Sequence, residues 1–115
     1  MRFWVVEWQH AVQWRKRVEG VLVPSGLTFT QWLVLDATRE LVRATEDAVS
    51  QGDVAAHLGM SRATVSDAMI ALDRLGLVDR GGSFEGPSWR VFLASKGTKL
   101  LDDLSPRIEV VSRPS

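Results

Sequence analysis

Cysteine is absent from this 115-residue chain, which excludes disulfides and thiolate metal sites. Histidine occurs only at positions 10 and 57, too few to build a metal site on imidazole, so neither a metal nor a cofactor is expected. No run approaches the ~18 apolar residues of a membrane span. The opening MRFWVVEW carries Glu7 inside its apolar stretch and lacks a secretory-signal layout, so a soluble, cytoplasmic protein is expected. Charge of one sign is lacking as well: fourteen basic and fourteen acidic residues give a formal net charge of zero. Proteins that bind DNA usually lean basic, because phosphate neutralisation drives their affinity. A nucleic-acid contact here has to come from local placement. Catalytic signatures are missing too. There is no Gly-rich phosphate loop and no strained nucleophile elbow around Ser61 or Ser66. Asp102 and Asp103 are sequence neighbours on a helix and diverge. No enzyme is expected.

What is present is a globular composition, 45% hydrophobic and 24% charged, of a length that fits one domain over 1–115. Residues 2–22 read as a long first helix. Trp4, Trp8, Ala11, Val18 and Leu22 share one face, with Phe3, Trp14 and Val21 along its edge. Pro24, Ser25 and Gly26 end it. A second helix is expected from about Thr28 to Ala44, with Thr28 or Thr30 as its cap.

Residues 51–65, QGDVAAHLGMSRATV, read as two short helices joined by a tight turn, the unit that sets one helix in a DNA major groove. Val54, Ala55 and Leu58 form the inward face of the first helix. Ala55 is small where the second helix must cross closely. Gly59 suits the left-handed stop between them, and Ser61 suits the next N-cap. Val65, Met69 and Leu72 then face the core. The pair ends at Gly76.

Leu77–Arg80 and Trp89–Leu93 read as two strands joined by a Gly-rich tip, which after a helix-turn-helix make a wing. Ser95 is the expected cap of a last helix over 95–112, which should stop or kink at Pro106. The expected fold is mainly α with a two-stranded β wing: a winged helix-turn-helix (27–94) with an extra N-terminal dimerisation helix (1–23).

From Leu27 to Leu104 the chain resembles the MarR family of transcription regulators. The stretches that carry the resemblance are LTFTQWLVL (27–35), DVAAHLGMSRATVSDAMIALDRLGLVDR (53–80) and RVFLASKGTKLLDDL (90–104). The resemblance implies a homodimer that binds short palindromic operators, in a family where many members respond to small aromatic or phenolic ligands. Three departures stand out. Asp67 follows the Thr-Val-Ser of the recognition helix, where the family usually carries a basic residue. The tip GGSFEGPS (81–88) has no basic residue. The chain stops soon after the resemblance ends, so the family's long C-terminal dimer helix is expected to be shortened or absent.

The expected DNA-binding residues are Gln51, Ser61, Arg62, Ala63, Thr64, Ser66, Arg80 and Arg90. Arg62 can bond guanine bidentately or stand as a solvated surface Arg. Ser61, Thr64 and Ser66 can bond phosphates or base edges, or simply cap the helix. Asp67 can accept from cytosine N4, repel phosphate, or pair with a cation. Arg80 and Arg90 flank the wing, and Arg90 can also pair with Asp79 across the hairpin. Ser95, Lys96 and Lys99 offer a second phosphate-binding edge. For the first helix a dimer interface through Trp4, Trp8, Ala11, Val18 and Leu22 is expected, because so wide an apolar face needs a partner. The same helix can instead be core, or can wall an effector pocket with His10, Trp14 and Trp32, suited to a flat aromatic ligand. Two functions follow: a homodimeric, sequence-specific regulator that binds double-stranded DNA, or a winged-helix protein-interaction module with little DNA affinity.

Overall fold

The computed structural model describes residues 2–81 and 90–114. In chain order the elements are α1 (Phe3–Leu22), a 3-10 turn (Val23–Ser25), α2 (Phe29–Thr45), β1 (Val49–Ser50), α3 (Gln51–Leu58), α4 (Arg62–Arg74), β2 (Val78–Gly81), β3 (Arg90–Leu93) and α5 (Ser95–Ser112). The tip of the expected wing, with Trp89, lies outside the described residues.

The sheet has three strands rather than the expected two. It is antiparallel in the order β1-β3-β2, with Val49 opposite Val91 and Val78 opposite Leu93. A two-residue strand is too short to show an alternating pattern, so β1 leaves no trace in the sequence. The β2–β3 register sets Phe92 opposite Asp79. The alternative cross-strand pair of Arg90 with Asp79 therefore does not form. Arg90 instead lies opposite Gly81 and Ser50, and its Nη1 donates to the Ala48 carbonyl at 3.3 Å.

Thr28 caps α2 in a reciprocal box. Its hydroxyl accepts from the Gln31 N–H at 3.1 Å, and the Gln31 side chain accepts from the Thr28 N–H at 3.1 Å. That arrangement satisfies two of the donors a helix start leaves orphaned. The core then runs through every layer. Val18 and Leu22 of α1, Val34 and Leu35 of α2, Val65, Met69 and Leu72 of α4, Val91 of β3 and Leu101 and Leu104 of α5 are all buried.

The last helix departs from expectation at its start, where the N-cap is Ala94 with no side-chain cap bond. It does not stop at Pro106 and covers the expected span to Ser112. A Pro inside a helix costs about 3 kcal/mol. Burial of Leu101 and Leu104 before it and Ile108 after it, all within 6% exposure, offsets that cost.

Two polar ties hold α5 in place. Arg39 of α2, its side chain 13% exposed, reaches Asp102 Oδ1 at 2.9 Å and Ser105 Oγ at 3.1 Å. At the other end, Trp14 Nε1 donates to Ser112 Oγ at 2.8 Å, and Arg17 Nε donates to the Val111 carbonyl at 2.9 Å.

Candidate nucleic-acid interface

The helix-turn-helix is fixed by three local devices. Ser50 caps α3 in a box with Asp53: the Ser50 hydroxyl accepts from the Asp53 N–H at 3.0 Å, and the Asp53 carboxylate accepts from the Ser50 N–H at 3.4 Å. Gly59 then ends α3 in the left-handed region at φ 65°, where a Cβ would be strained. The Met60 N–H closes the turn on the Ala55 carbonyl at 3.0 Å. Finally, Ser61 caps α4. Its Oγ accepts from the Thr64 N–H at 3.1 Å and lies 2.8 Å from Thr64 Oγ1. Ala55 is 4% exposed at the crossing of α3 and α4. The Ser50–Asp53 box matches the S-x-x-D pattern that marks a helix start, so the sequence carried its signal.

Ser61 and Thr64 are thus bonded to each other in the free protein. Removing the cap should cost about 1 kcal/mol. The Ser61→Ala variant is expected to lower stability by that amount in urea melts, with an unchanged denaturant slope.

Val65, Ala68, Met69 and Leu72 face the core. Helical periodicity then sets Ala63, Asp67, Ile70 and Arg74 along the opposite face. Ala63, Asp67 and Arg74 are exposed and Ile70 is half-buried. Arg62 lies to one side of that line, over the start of α3. Its Nη2 comes 3.7 Å from the Cβ position that Gly52 leaves empty. Arg62 makes no ion pair or hydrogen bond among the described residues. Ser66 is half-buried on the same side. Thr64 lies on the other side, lining a small cleft with Thr28, Thr30 and Gln31 of α2.

Of the remaining expected contacts, Gln51 is half-buried at the first turn of α3, and Arg80 is half-buried on β2 opposite Val91. Lys96 is committed elsewhere: its Nζ donates to the Leu75 carbonyl at 2.8 Å and closes the C-terminus of α4. Ser95 and Lys99 are exposed.

The first helix divides in two. Its second half packs inward, and Val18 and Leu22 are 0% and 1% exposed. These two residues belong to the protomer's own core and are not available to a partner, contrary to expectation. The 100° spacing that groups them with Trp4 and Trp8 cannot tell which stretch of a stripe its own chain covers. The first half projects: Phe3, Trp4 and Trp8 are 86%, 66% and 70% exposed, and Ala11 is exposed beside them.

The three residues expected to share an effector pocket do not line one cavity. Trp32 is 8% exposed in the core. Trp14 meets Phe29 edge-on at 5.3 Å and Trp32 at 6.3 Å. His10 lines a groove between α1 and the end of α5, with Trp14 and Arg17. A separate apolar cleft of about 430 Å³ is walled by Trp8, Ala11, Val12, Trp14 and Phe29, with Arg15 and Lys16 at its margin. The Arg15 guanidinium sits 4.9 Å from the Phe29 ring centroid, in cation–π range. Among the described residues no cluster of His, Asp and Glu suits a metal ion, and no single helix is long and apolar enough to cross a membrane.

A helix-turn-helix backed by α2, followed by an antiparallel hairpin and flanked by α1 and α5, defines the winged helix-turn-helix class. The MarR family model matches residues 25–83, just over half of the chain, and the chain belongs to the MarR family. Solved structures agree on the fold. A MarR-family transcriptional regulator from Rhodococcus sp. RHA1 superposes with a TM-score of 0.79 at 24% identity, over 90% of this chain and 70% of that one. The Mycobacterium tuberculosis regulator MOSR, solved in complex with DNA, gives 0.75 at 24% identity, over 96% and 77%. Bordetella bronchiseptica BpsR, whose DNA binding is regulated by 6-hydroxynicotinic acid, gives 0.79 at 22% identity, over 96% and 77%. No curated protein sequence matches the chain.

Proposed function

We propose that this chain is a sequence-specific, double-stranded-DNA-binding transcription regulator that acts as a homodimer and sets α4 in the major groove. One observation carries the reading: α4, fixed at its start by the Ser50 box, the Gly59 turn and the Ser61 cap, leaves Arg62, Ala63, Asp67 and Arg74 exposed on its outward side. Membership of the MarR family and the fold shared with the DNA-bound MOSR support it. The homodimer would form through the projecting half of α1, with Phe3, Trp4, Trp8 and Ala11. The proposed effector is a flat aromatic molecule in the cleft between Trp8, Trp14 and Phe29. The aromatic acid that regulates BpsR is a molecule of that class.

Zero net charge favours a second reading, a protein-interaction module with little affinity for DNA. The two separate in one experiment: selection of bound sequences from a random duplex pool, followed by a salt titration of the winner. Enrichment of an inverted repeat with a steep salt slope supports the regulator. Weak binding at low salt without enrichment supports the interaction module.

Within the first reading Arg62 is the contact residue at the start of α4. Its guanidinium is unengaged among the described residues, and Arg bonds guanine O6 and N7 bidentately. The Arg62→Ala variant is expected to lose about 1–3 kcal/mol of operator affinity, measured by fluorescence anisotropy. Unchanged affinity would remove Arg62 from the interface.

A further inference from the structure

We propose that Asp67 determines base specificity, its carboxylate accepting a hydrogen bond from the N4 amino group of a cytosine in each half-site. The inference rests on the DNA-binding reading above and assigns a role to the one acidic group in the first two turns of α4.

Position is the first argument. Asp67 lies on the face directly opposite the buried Val65, Ala68, Met69 and Leu72, so it is at the front of a helix entering a groove. Ala63, one turn earlier on that face, has no polar side-chain atom. Asp67 is therefore the first polar group on that front.

Isolation is the second. An acidic side chain on a DNA-facing surface is often neutralised by a neighbouring cation, and here none is in place. Asp67 forms no ion pair or hydrogen bond among the described residues. The other residues lining the cleft of about 260 Å³ between α2 and α4 are neutral: Thr28, Thr30 and Gln31 across it, and Thr64 and Ala68 beside Asp67 on α4. Residues 82–89 contain no Lys, Arg or His. Asp67 also lies beyond the first turn of α4, where N–H groups are already bonded within the helix.

The chemistry then selects the base. An ionised carboxylate only accepts hydrogen bonds. In the major groove, guanine presents N7 and O6, and thymine presents O4, all acceptors that repel it. Adenine offers its N6 amino group beside the N7 acceptor, so half of its edge is unfavourable. Cytosine offers the N4 amino donor and is the base that compensates for desolvating the charge. Repulsion from the phosphates is the same for every sequence. It lowers binding to all DNA and leaves the cytosine contact to restore it at the operator.

The test compares the wild type with Asp67→Asn and Asp67→Ala, each selected on a random duplex pool and then titrated on the wild-type winner. All three should melt alike, because an exposed surface position away from caps and core shifts stability by about 0.5 kcal/mol or less. The wild type is expected to enrich a cytosine at one fixed position per half-site, and to lose about tenfold in affinity when it is replaced. Asp67→Asn should switch that position to adenine, because Asn bonds N6 and N7 together. Asp67→Ala should lose the preference there and bind random duplex more tightly than the wild type. The same base preference in all three proteins would overturn the proposal while leaving the DNA-binding reading intact. Failure of the wild type to enrich any sequence would overturn that reading, and this proposal with it.

Discussion

Replacing Gly97 with Ala is expected to lower the melting temperature by more than about 10 °C, although Ala is the better helix former by about 1 kcal/mol. Gly97 lies in the first turn of α5, where the helix starts directly over the backbone of Leu77, the residue before β2. A Cβ there would overlap the Leu77 carbonyl oxygen and come within 3.0 Å of Leu93 Cδ1. The obstacle is backbone and cannot rotate away. That carbonyl is already committed, accepting from the Ala94 N–H at 3.1 Å. To admit a methyl group, α5 has to lift from the sheet. Lifting it strains the Ala94 bond and the Lys96 bond to Leu75 at 2.8 Å, and loosens Leu101 and Leu104 in the core. Overpacking of this kind costs about 1–3 kcal/mol and more where backbone must move. Each kcal/mol is worth roughly 4–8 °C in a domain near this size. Gly20 provides the control. It is exposed within α1, and a Cβ there meets nothing within 4 Å, so Gly20→Ala should raise stability by about 0.5–1 kcal/mol. Calorimetric scans of the two variants should move in opposite directions. A Gly97→Ala protein that melts within about 3 °C of the wild type would refute the close approach of α5 to the Leu77 backbone.

The sequence made the helices legible because helical burial leaves a period. Thr28, Gly59, Ser61 and Gly76 mark boundaries by local chemistry that does not depend on the rest of the chain: a hydroxyl for an orphan N–H, or a left-handed φ without strain. What it concealed was tertiary. β1 is two residues long and exists only because Val91 and Arg90 lie beside Val49 and Ser50. The continuation of α5 through Pro106 depends on Ile108 finding the core. Arg39 bridges 63 residues to Asp102, and no local pattern signals such a pair. At the candidate site, the turn and the cap were legible, but the direction of each outward side chain was not. With Val65, Ala68, Met69 and Leu72 buried, Arg62 points toward α3 and Asp67 toward the front. Val18 and Leu22 show the same limit: their stripe continues that of Trp4 and Trp8, yet one half is covered by α2 and α5 and the other is not.

That uncovered half carries the second large effect. On the proposed homodimer, Trp4→Ala with Trp8→Ala is expected to convert a dimer to a monomer and to abolish cooperative operator binding. The helix of 20 residues is about 30 Å long, and only its second half is held by the protomer. A free helix of three turns is marginal in water, and this one holds two indoles in solvent at 66% and 70% exposure. A second copy packed against it would bury both indoles twice over, by the two-fold symmetry of such dimers. An indole side chain carries up to about 200 Å², about two-thirds of it in solvent here, so each one removed costs roughly 3 kcal/mol at about 25 cal/mol per Å² of apolar surface. Four indoles per dimer put the upper limit at about 12 kcal/mol, well beyond what an interface of ordinary affinity can lose. The monomer should still fold, because neither side chain belongs to the core. Sedimentation velocity at micromolar concentration reads the first outcome, and the operator titration reads the second, as two half-sites filled independently. Leu75→Ala is the matched control, an exposed apolar residue at 43% at the far end of α4, and it should leave the dimer intact. A double variant that sediments as a dimer would move the interface off α1. A wild type that sediments as a monomer would remove the homodimer, and two-fold operator symmetry would go with it.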